Sequence, residues 1–154
     1  GTTARLYLPR AEEEKKAAAP VASARSDQDK IDAVVLVVED NIDVRKIVSR
    51  LLREFGCTVI EANSGAAALE ILQSNQKIDL MFSDVIMPGG MSGTELVQAA
   101  RHLRPGIKTL LTTGFAEASL RSHVKFAHGE EIITKPYRRQ DLARKLRNVL
   151  GLNA

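Results

Sequence analysis

The strongest constraint on the fold is an alternation of strand and helix patterns that begins near Ala33 and runs through the rest of the chain. The first strand, Val34 to Val38, is a continuous run of valine and leucine, which is typical of a strand covered on both faces. Apolar residues at helical spacing then follow, and this pairing is repeated to give five strands. Because parallel strands need crossover connections, the pattern predicts a doubly wound α/β sheet with helices on both faces.

The predicted elements have recognisable starts and stops. We expect strands at residues 34–38, 57–62, 78–84, 107–112 and 131–134, a weaker helix around Ala116 to Val124, and a basic helix that ends before Gly151. Gly56 is expected to end the first helix and Ser64 to begin the second, and Ser92-Gly93-Thr94-Glu95 has the form of a capping box.

Two helices have apolar seams that are predicted to face the sheet. The predicted seams are Val44, Ile47, Val48, Leu51, Leu52 and Phe55 in the first helix and Leu96, Val97, Ala100 and Leu103 in the third.

Composition excludes several classes of protein. The 154 residues, of which 44% are hydrophobic, suffice for one domain plus some extra chain. Neither a signal peptide nor an apolar run of about 18 residues is present, so we expect a cytoplasmic segment without membrane contact. The single cysteine, Cys57, excludes an internal disulfide and is expected to be a buried packing residue. The net charge of +3 comes largely from the last helix, and we expect no nucleic-acid binding.

Polar residues stand where the apolar strands end. The first strand ends in Glu39-Asp40, the third in Asp84, the fourth in Thr112-Thr113, and the fifth runs into Lys135. Sites in such sheets form outside the carboxyl ends of the strands, so we expect these groups to converge on one edge. Two carboxylates about 4 Å apart repel by about 4 kcal/mol at a protein surface, which favours a bound cation such as Mg²⁺.

The same groups suit phosphoryl transfer. Asp84, at the end of a central strand and before a Pro-Gly-Gly loop, is the best candidate for a nucleophile that forms an acyl phosphate. Glu39 and Asp40 would then bind the metal, while Lys135 and a threonine hydroxyl would contact the transferred group. Each residue also has a simpler interpretation: Asp40 or Asn41 as a helix cap, Asp84 as a turn residue, Thr112 as a β-branched strand residue and Lys135 as a surface lysine.

Four segments together resemble the receiver domain of two-component response regulators: VLVVEDN, DLMFSDVIMPGGMSG, LLTTGFA and ITKPY. The resemblance covers residues 33–152 and implies a flavodoxin-like sheet with the strand order 2-1-3-4-5. It also implies that Asp84 is the phosphoacceptor and that Glu39, Asp40, Asp84 and the Ile86 carbonyl hold Mg²⁺. Thr112, rather than Thr113, matches the switch hydroxyl, Lys135 the phosphate-binding lysine, and Lys135-Pro136 a cis bond. Such a domain assists its own phosphorylation and dephosphorylation.

The chain departs from the family pattern at two places. Ile132 occupies a position where the family often has Tyr or Phe, which puts the usual aromatic switch in doubt. The loop Pro88-Gly89-Gly90-Met91 is one glycine longer than the commoner form.

The segment before the receiver resembles part of another domain. Residues 1–10 (GTTARLYLPR) are similar to the last strand of a histidine-kinase ATP-binding domain, and residues 11–32 have the composition of a linker. These features together predict part of a hybrid sensor histidine kinase. The expected partner is its own or a cognate kinase core, or a histidine phosphotransfer protein, and the expected oligomeric state is a monomer or weak dimer.

Two rival functions remain open. One is a Mg²⁺-dependent phosphohydrolase of the haloacid-dehalogenase type, but that family needs an aspartate where this chain has Ile86. The other is a degenerate receiver that serves only as an interaction module.

Overall fold

The structure, a computed structural model, describes residues 30–88, 90–114 and 130–152. Within these ranges the strands are β1 (Val34–Val38), β2 (Thr58–Ala62), β3 (Leu80–Asp84), β4 (Lys108–Thr113) and β5 (Glu131–Thr134). The helices are α1 (Ile42–Glu54), α2 (Gly65–Gln73), α3 (Gly93–Leu103) and α4 (Arg139–Leu150). The predicted helix around 116–124, the kinase-like segment 1–10 and nearly all of the predicted linker 11–32 lie outside the described residues.

The five strands form one parallel sheet in the order β2-β1-β3-β4-β5, which confirms the predicted fold. β1 and β3 lie in the middle of this sheet and are separated in the chain by the β2–α2 unit. The register places Asp84 opposite Thr112 at the carboxyl edge of β3 and β4. The reversal of strand order between β1 and β3 is the position where ligand sites form in open α/β sheets.

Two apolar cores lie on opposite faces of the sheet because alternate strand residues point to opposite sides. Val35 and Val37 of β1 pack in one core, with residues of α1 and α4. Leu36 and Val38 pack in the other, with residues of α2 and α3. All four are fully buried, as the continuous apolar run predicts for a central parallel strand.

The predicted helix boundaries are confirmed at several ends. Ser64 caps α2 through its side chain, and Ser92 and Glu95 form a complete capping box on α3. Gly56, which follows α1, and Gly151, at the end of α4, have φ values of 98° and 72°. This left-handed conformation costs glycine little and explains why both helices stop there.

The predicted helix seams are wrong at two residues. Ile47 is 67% exposed because the buried seam of α1 is centred on Val48 and Leu52, and successive residues are turned by about 100° around a helix. Leu103, the last residue of α3, is 44% exposed and borders an open groove beside the α2–β3 connection.

Cys57 is buried as predicted, although it lies just before β2 rather than within it. Burial, with the nearby charge of Asp32, raises the pKa of its thiol to about 11. In the described part of the chain, no helix combines the length and apolar character needed to cross a membrane.

Candidate functional site

The ammonium group of Lys135 joins the ends of three strands. Lys135 follows β5, and its Nζ donates hydrogen bonds to Asp84 Oδ2 at the end of β3 (2.7 Å) and to Glu39 Oε2 after β1 (3.0 Å). The side chains of Glu39 and Asp84 are largely buried, with 7% and 13% exposure. One partly buried lysine is therefore shared by two carboxylates at the carboxyl edge of the sheet.

Burial and the ion pairs act in opposite directions on the pKa values of this cluster. At Glu39, burial dominates and raises the pKa of the carboxyl group, although Lys135 lowers it. At Lys135, burial alone would lower the pKa, but the hydrogen bonds and charges of Asp84 and Glu39 outweigh it and raise the pKa. The lysine is therefore firmly protonated, and it offsets the negative charge of its two partners.

The backbone around Asp84 is tightly held. Val85 N donates to Thr112 O, and Gly93 N donates to Val85 O, each at 2.9 Å. A Cβ atom on Gly93 would lie 2.1 Å from Asp84 O, a distance that no real side chain tolerates. The start of α3 can pack directly against the end of β3 only because residue 93 is a glycine.

The two threonines at the end of β4 differ in their hydroxyl groups. Thr112 is 1% exposed, and its buried Oγ1 has no hydrogen-bond partner among the residues that the structure describes. The Thr113 hydroxyl can donate to Gly114 O at 3.4 Å. Because a buried polar atom without a partner is costly, the Thr112 hydroxyl is the one that a ligand at this edge would satisfy.

Asp40 is not the helix cap. Asn41 caps α1, since its Oδ1 accepts hydrogen bonds from the backbone N–H groups of Asp43 and Val44. Asp40 is exposed, and within the described residues its carboxylate forms no hydrogen bond or ion pair. The predicted capping role is therefore filled by Asn41 and not by Asp40.

The structure brings Glu39, Asp84 and Lys135 into direct contact but does not assemble all of the predicted metal ligands around one point. Among the described ranges, no group of three or more His, Cys, Asp or Glu side chains is arranged to hold a metal ion. Ile86, whose carbonyl was the fourth predicted ligand, is 51% exposed in the loop after β3.

The donor set nevertheless fits Mg²⁺. Glu39, Asp40 and Asp84 supply only oxygen donors, and Asp40 and Ile86 are open to solvent. Mg²⁺ prefers a few carboxylates and keeps several water molecules, so it needs a partly open, oxygen-only site rather than a closed protein cage.

Two further features bear on the family resemblance. The Lys135-Pro136 bond is cis, as the resemblance implies. Ile132 is partly buried and packs against the core on the α2 and α3 side of the sheet. At this position the chain therefore has an aliphatic packing residue rather than an aromatic ring.

Sequence reasoning missed Arg45. Its NH1 donates to the carbonyl oxygen of Glu39 at 2.6 Å and reaches that of Asp40 at 3.4 Å. The sequence feature that could have indicated a role for Arg45 is its position near the amino end of α1. The helix dipole disfavours a cation there unless a specific partner holds it.

Comparisons with known proteins identify the family and agree with the fold. A family model described as a response regulator receiver domain matches residues 35–147. The chain is 36% identical to the sensor kinase CckA of Brucella abortus, over 97% of this chain and 16% of that protein. It is 30% identical to the response regulator receiver protein CpdR of the same organism, over 75% of this chain and 95% of that protein. This chain thus spans about a sixth of the length of CckA.

Solved structures give the same result. A crystal structure of the receiver domain from the hybrid histidine kinase CckA is 34% identical, with a TM-score of 0.63, over 76% of this chain and 98% of that one. The chemotaxis protein CheY4 of Vibrio cholerae is 30% identical, with a TM-score of 0.67, over 77% of this chain and 99% of that one.

Proposed function

Because the chain belongs to the response regulator receiver family, a phosphoacceptor family of two-component signalling, we propose that Asp84 accepts a phosphoryl group from a phosphohistidine. The observation that carries this proposal is the Asp84–Lys135–Glu39 cluster at the carboxyl edge of the sheet. It combines a potential nucleophile with a fixed positive charge beside it.

The carboxylate of Asp84 is held so that one oxygen remains available. Oδ2 accepts the hydrogen bond from Lys135, while Oδ1 forms no hydrogen bond within the described residues. Oδ1 attacks phosphorus, the P–N bond of the phosphohistidine breaks, and its electron pair stays on the imidazole nitrogen, which then takes up a proton. The product is an acyl phosphate on Asp84.

The other residues stabilise the charge of the transferred group. The Lys135 ammonium lies within hydrogen-bond reach of the reacting carboxylate and offsets the charge on the phosphoryl oxygens. The Thr112 hydroxyl, which has no hydrogen-bond partner within the described residues, donates a hydrogen bond to one of those oxygens. Glu39, Asp40, Asp84 and the Ile86 carbonyl would hold Mg²⁺, which neutralises further charge when bound.

We also propose that the chain is the receiver portion of a hybrid sensor histidine kinase in the cytoplasm. The alignment with the sensor kinase CckA covers 97% of this chain, more than the family match at residues 35–147, which supports the assignment of residues 1–10 to a kinase domain. The phosphodonor would be its own or a cognate kinase core, or a histidine phosphotransfer protein.

Intact-mass spectrometry after incubation with Mg²⁺ and acetyl phosphate tests the proposal. We expect the wild type to gain one phosphoryl group and Asp84→Asn to gain none. Asp43→Asn is the matched control, since Asp43 is an exposed residue of α1, and it should be modified like the wild type.

Two results would contradict the proposal. Uptake by Asp84→Asn equal to that of the wild type would place the acceptor elsewhere. Sustained phosphate release from small phosphomonoesters would favour a hydrolase.

A further inference from the structure

Arg45 connects the acidic end of β1 to β2. Its NH1 donates to Glu39 O at 2.6 Å and lies 3.4 Å from Asp40 O, while its Nε lies 3.6 Å from Glu61 Oε2. The side chain is only 14% exposed, although α1 is a surface helix. A nearly buried guanidinium group is therefore committed to the backbone of two successive acidic residues.

Glu61 offsets the charge of Arg45. Glu61 Oε1 also accepts a hydrogen bond from Arg53 NH2 at 2.9 Å, so one carboxylate of β2 faces two arginines of α1. Arg53 makes this contact from the last turn of the helix, and it contacts Glu61 rather than the acidic loop. The two arginines share a partner, but Arg45 is the one that contacts Glu39 and Asp40.

The contacts of Arg45 fix the orientation of two peptide groups. Both hydrogen bonds come from NH1 of a planar guanidinium group whose Nε faces Glu61, so the group is held at two nitrogens and the carbonyl oxygens that bind it cannot rotate freely. Turning the carbonyls of Glu39 and Asp40 toward Arg45 fixes the directions in which their side chains leave the backbone. The backbone N–H of Glu39, which donates to Ala62 O at 3.2 Å, is a second restraint on the same loop.

We propose that Arg45 is a positioning residue for the divalent cation: it holds the backbone of Glu39 and Asp40 so that their carboxylates are preorganised to bind Mg²⁺. The proposal rests on the proposed function of the same site. Because the Asp40 side chain lacks a partner among the described residues, its orientation depends on its backbone. Outer groups that orient metal ligands generally matter for affinity as well as for geometry.

Divalent-cation binding to the unphosphorylated protein tests this role without using activity. Titration with Mn²⁺, followed by the electron paramagnetic resonance signal of the free ion, gives the dissociation constant directly. We expect Arg45→Gln to weaken binding by about tenfold. Arg53→Gln is the matched control, because it also removes a cation from Glu61, and it should change the affinity by less than about twofold.

A second variant and a second measurement separate positioning from general stability. Arg45→Lys keeps the charge and should fold, but its single nitrogen cannot contact both carbonyl oxygens and face Glu61 at once, so we expect it to weaken Mn²⁺ binding by about threefold or more. Amide hydrogen exchange at residues 39–41 should be faster in Arg45→Gln than in Arg53→Gln, even without metal.

The possible outcomes are distinct. Mn²⁺ affinity within about twofold of the wild type in both Arg45 variants would overturn the positioning role. Equal losses in Arg45→Gln and Arg53→Gln would also overturn it, since the effect would then come from helix packing. A wild-type protein that neither binds Mn²⁺ nor takes up a phosphoryl group would instead refute the proposed function itself.

Discussion

Lys108 and Lys135 lie at opposite edges of the sheet and contact different kinds of group. At the amino edge, Arg104 donates to the carbonyl oxygens of Leu72, Ser74 and Gln76, and Lys108 donates to Leu150 O at 2.6 Å. These cations are committed to backbone groups at helix ends and turns. At the carboxyl edge, the Lys135 ammonium contacts two carboxylates instead.

The difference shows which edge is arranged for stability and which for chemistry. Arg104 and Lys108 satisfy main-chain carbonyls at helix ends and turns that would otherwise lack partners, which is a contribution to stability. The two carboxylates and one ammonium at the carboxyl edge, with Thr112 opposite Asp84 and its hydroxyl lacking a partner in the described part of the chain, gain from a ligand that brings further charge. Matched substitutions at the two edges should therefore have different effects on stability and on phosphorylation.

Glycine substitution should give the largest effect. Gly93→Ala places a Cβ 2.1 Å from Asp84 O, and because the obstacle is backbone, relief requires α3 and β3 to separate. We expect a loss of about 3 kcal/mol in the free energy of unfolding, measured by urea denaturation. Phosphoryl uptake at Asp84 should fall as well.

Gly106→Ala is the matched change near the amino edge. A Cβ there would have no neighbour within 4 Å, so we expect a stability change smaller than about 0.5 kcal/mol. Equal losses in the two variants would show that the close approach at Gly93 has no special cost.

Much of this contrast was accessible from the sequence, but not all of it. Continuous apolar runs such as Val34 to Val38 predicted buried parallel strands, and the polar residues that follow them predicted the edge where Glu39, Asp84 and Lys135 meet. Parallel topology makes this inference possible, because all strands end at the same edge.

The missed features depend on contacts between residues that are distant in the chain. The Arg104 contact to Leu72 spans 32 positions, and the clash at Gly93 depends on how closely α3 approaches β3. Exposure of Ile47 depends on where the sheet surface ends relative to α1. A pattern of residue types reports which face of a helix is apolar, but it does not report how much of that face its neighbours cover.

The two lysines offer the next comparison. Lys135→Met removes the cation beside Asp84, and we expect the rate of phosphorylation by acetyl phosphate to fall by about a hundredfold, since a fixed charge at the reacting group is lost. Lys108→Met removes a single hydrogen bond to the end of α4 and should leave that rate unchanged.

The effect of Lys108→Met on stability should differ from its effect on the phosphorylation rate. Lys108→Met is expected to lower the free energy of unfolding by about 1 kcal/mol, the usual value for one hydrogen bond. If Lys108→Met slowed phosphorylation as much as Lys135→Met, the two edges would not be functionally distinct.

Glu130 tests the limits of the contrast, because it is a charged residue near the amino edge that is poorly satisfied. It precedes β5, and its side chain is 1% exposed. Within the described ranges its Oε2 has no hydrogen-bond partner, and its Oε1 lies 3.6 Å from Arg101 NH1. Burial raises the pKa of this carboxyl group above its ordinary value of 4.5, although Arg101 lowers it. The folded state therefore binds this proton more tightly than the unfolded state, and stability falls as pH rises through that range.

Removing the charge should reverse this loss. We expect Glu130→Gln to raise the free energy of unfolding at pH 7 by about 1 kcal/mol, and the gain should shrink as pH falls to about 3, where the wild-type carboxyl group is protonated in both states. Urea denaturation at both pH values measures the difference, with Glu131→Gln as the control, since Glu131 is exposed and pairs with Lys145. A gain that is the same at both pH values would assign the effect to packing. A pH-dependent gain would mean that even the amino edge retains one charge at the expense of stability. A charged group without full pairing would then indicate a functional edge only where other reactive groups face it, as Lys135 faces Asp84.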